Sequence, residues 1–379
     1  MKSAVFLLIT LFPLGALTSA AVDQSDALPE PAEHVAKLTI ELMGADTALY
    51  AKKLAQIDAA LQSAARENDR RLVVEFWAIA DPAAALRYVE NSSLRPRAKQ
   101  ALMESLVRGW TRSSPEHAWQ WSRQQPRLDQ LDLLRVALET AASAAPDKGF
   151  AWLQSLAAQA PQPPPDFQDH AFSFFIKLCE AGDYATVRRL IDQLPPGELR
   201  EQLLFSTTER MARYALEDSA SWSLSRAAQP DAYSAQAAVS LEKVRRNFDE
   251  AFTWVLAIDD AAVRPQLVRT IAGEAIAREP TPANAEKILA KLSGERERHG
   301  AYAALASTAD LVRSSPALVI DNAWKIAALQ DRRMALVRGY SAWYEADQEA
   351  ALRHLARSSE GRDEDRKVIE RFLKQPDES

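Results

Sequence analysis

Adjacent carboxylates, scattered histidines and nine tryptophans are the side chains here that could do chemistry. Two acids about 5 to 9 Å apart are what glycoside cleavage needs, one to protonate the leaving oxygen and one to serve as base or nucleophile. Asp259-Asp260 and Glu217-Asp218 come nearest to that pattern, but 52 acids make such neighbours unavoidable, and each pair reads as a helix end or a solvated face. A helical wall-cleaving enzyme would also carry a compact catalytic segment that breaks the chain's regularity, and no such segment is visible. The histidines, His34, His117, His170, His299 and His354, include no two four residues apart, so a His-Glu-x-x-His zinc motif is absent. Cys179 is the single cysteine, which excludes multi-cysteine metal sites and any intrachain disulfide; in its apolar run it reads as a buried, inert thiol. There is no Gly-x-Ser-x-Gly elbow, phosphate loop or dinucleotide fingerprint. The reading is a protein without catalytic residues, metal or cofactor.

The tryptophans lead to the elements that position them. Trp77-Ala-Ile-Ala-Asp-Pro-Ala-Ala-Ala-Leu-Arg-Tyr-Val returns as Trp343-Tyr-Glu-Ala-Asp-Gln-Glu-Ala-Ala-Leu-Arg-His-Leu, with seven of thirteen positions identical. Weaker copies lie between them. Taking Pro82 as reference, its equivalents are Pro115, Pro146, Tyr184, Asp218, Phe248, Pro282, Pro316 and Gln348, nine copies about 33 residues apart. The residue before each reference is Asp81, Ser114, Ala145, Asp183, Glu217, Asn247, Thr281, Ser315 or Asp347. Seven of these are good helix N-caps, whose side-chain oxygen accepts from an unpaired amide of the first turn, and proline suits the position that follows.

Three residues after the reference the side chain is mostly small: Ala85, Ala118, Gly149, Val187, Ser221, Ala251, Ala285, Val319 and Ala351. Six residues after it, it is mostly large: Tyr88, Trp121, Trp152, Leu190, Leu224, Trp254, Ile288, Asn322 and His354. Small then large one turn apart is a packed helix face. Upstream of each cap runs a second periodic helix, as in Leu102, Leu106 and Trp110 at i, i+4 and i+8, so each copy is a helical hairpin. Five residues before the reference, Trp77, Trp110 and Trp343 are placed to pack on the second helix. Arg213 and Lys243 depart from that column, and a one-residue shift would put Tyr214 and Val244 there instead, with Asp218 as the fifth cap. Trp77, Trp110, Trp121, Trp152, Trp254 and Trp343 are therefore expected in the core. Trp119, Trp222 and Trp324 fall outside the columns and are the candidates for a binding surface.

A hairpin of about 34 residues with Ala at a fixed place in its second helix resembles the tetratricopeptide repeat and its HEAT relatives, most closely in Ala181-Gly-Asp-Tyr-Ala-Thr-Val-Arg-Arg-Leu. Trp-x-x-x-(Asp/Ser)-Pro-x-x-Ala-x-x-(Trp/Tyr), at Trp77 and Trp110, also resembles helical repeats of exported bacterial proteins. The resemblance spans about three quarters of the chain and implies an all-α, right-handed α-solenoid that binds in extended grooves. It carries no catalytic residues across.

Residues 1–21 read as a signal peptide: Lys2, an apolar run from Ala4 to Leu17 and small residues before a cut near Ala20 or Ala21. That run is too short for a membrane span, and none follows, so an exported, soluble, periplasmic or extracellular protein is expected. Residues 22–70 are expected to form a flexible tail and a helical cap, 71–366 the nine hairpins, and 367–379 a C-terminal tail. A Pro-rich connection over 160–169 carries Pro161, Pro163, Pro164 and Pro165 in extended form. A net charge of −6 argues against nucleic-acid binding, and the short Arg-rich stretches, such as Leu94 to Lys99, read as solvated faces. The functional expectation is a non-enzymatic scaffold gripping a protein or peptide partner along its concave face. A glycan- or wall-acting enzyme and a self-assembling envelope protein are the alternatives.

Overall fold

The structure, a computed structural model, describes residues 30–59, 63–158, 166–358 and 362–374. The expected signal peptide, most of the tail after it, and the extended run at Pro161, Pro163, Pro164 and Pro165 lie outside the described residues. The described residues form 22 helices and no strand, an all-α protein. The chain divides into two compact units, Met1–Pro195 and Pro196–Ser379, where the sequence suggests one unbroken run of repeats.

In the first unit, α1 (Glu30–Leu42) and α2 (Thr47–Asp58) precede the hairpins α3 (Ala64–Ala80)/α4 (Pro82–Asn91), α5 (Pro96–Ser113)/α6 (Pro115–Arg123), α7 (Arg127–Ala144)/α8 (Pro146–Ala157) and α9 (Phe167–Glu180)/α10 (Tyr184–Asp192). The first hairpin thus begins at residue 64, not 71. The second unit holds α11 (Glu198–Tyr214)/α12 (Leu216–Ser225), α13 (Ala232–Arg246)/α14 (Phe248–Leu256) and α15 (Arg264–Arg278)/α16 (Pro282–Ala290). In the next hairpin the first helix is broken at Thr308 into α17 (Glu295–Ser307) and α18 (Ala309–Ser314), ahead of α19 (Pro316–Ala323). The last hairpin is α20 (Leu329–Ala346)/α21 (Gln348–Ser358), followed by α22 (Asp363–Lys374). The expected tail from 367 is helical through Lys374, because α22 buries Ile369 completely and docks on α20.

The hairpin turn explains the sequence columns. In seven of the nine hairpins one residue closes the first helix and opens the second, at φ between −138° and −155°. Its amide donates to the carbonyl four residues back, which belongs to Trp77, Trp110, Ala141, Met211, Lys243, Leu311 or Trp343, at 2.7–2.8 Å. Its carbonyl accepts the amide of the small-column residue four ahead, as in Ala85 to Asp81 at 3.1 Å and Ala251 to Asn247 at 3.1 Å. Both columns are thereby locked to the joint. The fourth hairpin uses a longer turn in which Gly182 takes φ 78°, a left-handed conformation that glycine adopts without steric cost. Side-chain capping occurs at Asp81, Asp183, Asn247, Thr281 and Asp347. Ser114 and Ser315 do not cap; the Ser114 hydroxyl lies 2.7 Å from Nδ1 of His117 instead.

One column needs correction. The fifth hairpin turns at Ala215, so neither Glu217 nor Asp218 is its cap, and every residue assigned from them moves back two places. Met211, fully buried, replaces Arg213 in the column before the joint, and Tyr214, 79 % exposed, is not in it. Ser219, fully buried, replaces exposed Ser221, and Trp222 replaces Leu224. The two acids misled because they are good caps in composition, whereas helix α12 starts on apolar Leu216. Lys243 does hold its column, buried because its ammonium meets Glu217 at 2.9 Å and the Trp254 ring at 5.9 Å.

Within the first unit, first helices pack on first helices in the order α3, α5, α7, α9, and each of α4, α6 and α8 lies on its own partner and on the next first helix. The same holds for α11, α13, α15, α17 and α20 in the second unit, which continues into α22. Arginine staples repeat with this period. Arg264 donates from Nε to Glu297 at 2.6 Å and from Nη1 to the Ile258 carbonyl at 3.1 Å. Arg332 does the same to Asp365 and to Ile326, both at 3.0 Å, with identical offsets of 33 residues forward and six back. Burial pushes the Asp365 carboxyl up, but hydrogen bonds from Arg333 and Arg332 outweigh it and hold the group below the usual carboxylate value. The fifth hairpin and its neighbour α13 differ from the rest in a polar interior: Thr207, Thr208, Ser219, Ser223, Gln236 and Ser240 are all buried.

Candidate binding surface

The residues five before and six after the reference meet across four of the nine hairpins. Trp77 and Tyr88 lie with ring centroids 6.1 Å apart, Trp110 and Trp121 at 5.7 Å, and Trp343 and His354 at 4.9 Å, while Lys243 covers Trp254. The joint dictates this, since it fixes both positions relative to one residue. The second-helix member lies at the hairpin's edge, so Tyr88, Trp121, Trp222, Trp254 and His354 are all half-buried, each with part of its ring open to solvent.

This reverses the tryptophan assignments made from the sequence. Trp119 is 2 % exposed, stacked on Trp152 of the next hairpin at 4.7 Å and 4°. Trp324 is also buried, with the Arg362 guanidinium 5.0 Å from its ring. Neither offers a binding face. Trp222 remains available in part, under Arg226 at 5.2 Å, and it belongs to the aromatic column rather than outside it. Of the six tryptophans expected in the core, Trp77 and Trp152 are buried, whereas Trp110, Trp121, Trp254 and Trp343 are half-buried. Trp119, four after its reference, faces the neighbouring hairpin; the sixth position is half-open at Tyr88, Trp121, Trp222, Trp254 and His354, but at Trp152 it is closed by the stack on Trp119.

At the first hairpin the aromatic pair borders an open depression of about 620 Å³, lined by Asp58, Trp77, Ala84, Arg87, Tyr88, Asn91 and residues 92–94. Asp58 is paired there: Arg70 reaches its Oδ1 with Nε at 3.1 Å and Nη2 at 3.0 Å, and the Tyr88 hydroxyl donates to Oδ2 at 3.0 Å. Burial, then the Asp58 charge, push the Tyr88 phenol up to about 12, so it stays a donor at neutral pH.

In the last hairpin His354 sits 3.2 Å from Asp321 through Nε2 and 3.1 Å from the Tyr340 hydroxyl through Nδ1, with Ser358 3.2 Å from the same Nδ1. Of these partners the sequence places only Ser358 near, one turn on along the same helix, because Asp321 and Tyr340 come from α19 and α20. Tyr340 is fully buried and, chiefly by burial, pushed up to about 12, which makes the imidazole the anchor of a packed network. Cys179 is buried. Asp259 and Asp260 lie at a turn after α14, where Asp260 accepts the amides of Ala262 and Val263. Among the described residues no three His, Cys, Asp or Glu side chains gather as metal ligands, and no helix is long and apolar enough to cross a membrane.

No protein-family model, curated protein or solved structure matches the chain.

Proposed function

We propose that this chain is an exported, non-enzymatic interaction scaffold, a right-handed TPR-like or HEAT-like solenoid that grips an extended protein segment. The observation that carries the reading is the half-buried aromatic residue set at the same point of five of the nine second helices. Tyr88 and Trp121 provide it in the first unit, and Trp222, Trp254 and His354 in the second. A rigid joint spaces these rings at the hairpin period, and partly exposed aromatic rings on a fixed frame give large contact area at small conformational-entropy cost. Export rests on the signal-peptide pattern of residues 1–21. A self-assembling envelope protein is the second reading, favoured by exposed Ile40 on α1 and Phe372 on α22, which leave apolar side chains on the first and last described helices.

Two measurements test this. Small-angle scattering of residues 22–379 should give a radius of gyration well above the roughly 21 Å of a compact chain this long, and a value near that figure would overturn the solenoid. Affinity capture from envelope extract should return one saturable protein partner whose binding falls in the Trp121→Ala, Trp254→Ala double variant. Glycan turnover by the purified protein would move the assignment to an enzyme, and concentration-dependent elongation to self-assembly.

A further inference from the structure

The depression at the first hairpin carries more hydrogen-bond donors than its own structure uses. Its one carboxylate, Asp58, is bonded by Arg70 and Tyr88. The groups left over, a guanidinium, a carboxamide and a hydroxyl, can all donate. Arg87 is exposed and makes no ion pair or hydrogen bond with any described residue, and the same is true of the Asn91 carboxamide and the Ser93 hydroxyl. Trp77 lines the same depression, is 8 % exposed, and keeps its indole N–H buried with no partner among the described residues. The surrounding charge agrees. Arg95 and Arg97 follow directly, exposed and without an ion pair among the described residues, and Lys99 spends its ammonium on the Glu90 carbonyl; the opposing charges are Asp58, paired with Arg70, and the exposed Glu90 carboxylate.

We propose that this depression is a binding site for an oxyanion, a carboxylate or phosphate group held by Arg87 with Asn91 and Ser93 beside it. A guanidinium takes such a group through two parallel N–H bonds, and a carboxamide and a hydroxyl complete the shell. The Arg-rich run from Leu94 to Lys99, which reads as a solvated face in the sequence, supplies the positive field around the site. The oxyanion can arrive on an acidic side chain of a bound segment or as a free ion, and these sources separate by experiment. The proposal stands apart from the scaffold reading, since a free anion would satisfy the site without any protein partner.

The test is titration calorimetry on the full mature chain at low salt with three probes: a glutamate-rich peptide, its glutamine counterpart, and inorganic phosphate. The expected result is 1:1 binding of the glutamate peptide or of phosphate, no binding of the glutamine peptide, and weakening as salt is added. Arg87→Gln should lower the affinity about tenfold or more, and Asn91→Ala several-fold, with thermal unfolding unchanged, since both side chains are exposed and bond to nothing in the fold. Preference for the peptide assigns the site to an acidic segment, and preference for phosphate to a free anion; either supports the site. Failure of both probes, or binding that Arg87→Gln leaves untouched, overturns it. Affinity capture of a protein partner by the Arg87→Gln variant then reports separately on the scaffold.

Discussion

Ser219 supplies the sharpest test of the hairpin register. It occupies the small column of the fifth hairpin, donates its amide to the Ala215 carbonyl at 3.0 Å, and is fully buried, but its hydroxyl has no partner among the described residues. Five other hairpins carry alanine there, at Ala85, Ala118, Ala251, Ala285 and Ala351, and each of those is also fully buried. Burying a hydroxyl without a hydrogen bond costs about 1–3 kcal/mol. Removing the oxygen leaves a void of ~15 Å³, which at ~24 cal/mol per Å³ costs ~0.4 kcal/mol. Ser219→Ala should therefore stabilise the second unit by about 0.6 to 2.6 kcal/mol, and raise its melting temperature by roughly 1 to 10 °C at the ~2–4 °C per kcal/mol of a unit of this size. Circular dichroism melts and urea titrations of the variant measure it. Ala251→Ser, the reciprocal change in the next hairpin, should cost about 1–3 kcal/mol. A Ser219→Ala protein that melts at or below the wild-type temperature would refute the reasoning, because it would mean that the hydroxyl is satisfied and the fifth hairpin is not built on the register of the others.

Gly109→Ala should destabilise the first unit by about 1 to 3 kcal/mol in urea unfolding, since the added methyl runs into the Glu75 carbonyl of α3 and comes within 3.0 Å of the Ala78 Cβ. Trp119→Ala should cost about 3–5 kcal/mol by the same assay, whereas Trp121→Ala, at a half-exposed ring, should cost clearly less. His170 is buried and its Nδ1 is unpartnered; burial, opposed by Asp166, holds the imidazole below its ordinary value of 6.5. The unfolded chain thus takes up the proton first. Stability of the first unit should be full above about pH 6.5 and fall as pH drops through that value toward the depressed folded one, and His170→Phe should flatten the slope between pH 8 and 5.

Much of the fold is legible in the sequence because the hairpin joint is a local device. An amide reaching four residues back and a carbonyl reaching four ahead need only the right residues at short spacing, which is why eight of the nine reference residues open their helices as expected. The fifth does not, since Glu217 and Asp218 look like caps while helix α12 starts on apolar Leu216, with Ala215 at the joint. Thr308 likewise breaks the first helix of the eighth hairpin, between α17 and α18, without a proline or glycine to announce it.

The candidate site was legible only in part. That tryptophan and tyrosine recur at the hairpin period is written in the chain, and so is the excess of arginine after Leu94. Which ring is open and which is closed depends on the helix next door: Trp119 is sealed by Trp152 from another hairpin, and Trp324 by Arg362 beyond the last one. Arg87, Asn91 and Ser93 are left without partners among the described residues because Asp58, some 30 residues earlier in the chain than Tyr88, pairs with Arg70 and Tyr88 instead. Sequence alone determined the helical hairpins, their period and five of the seven expected caps, because those follow from backbone bonds and side chains a few residues apart. Exposure, ion-pair partners and the surplus of donors were decided by the tertiary structure, because each depends on which residues from distant hairpins come within a few ångströms.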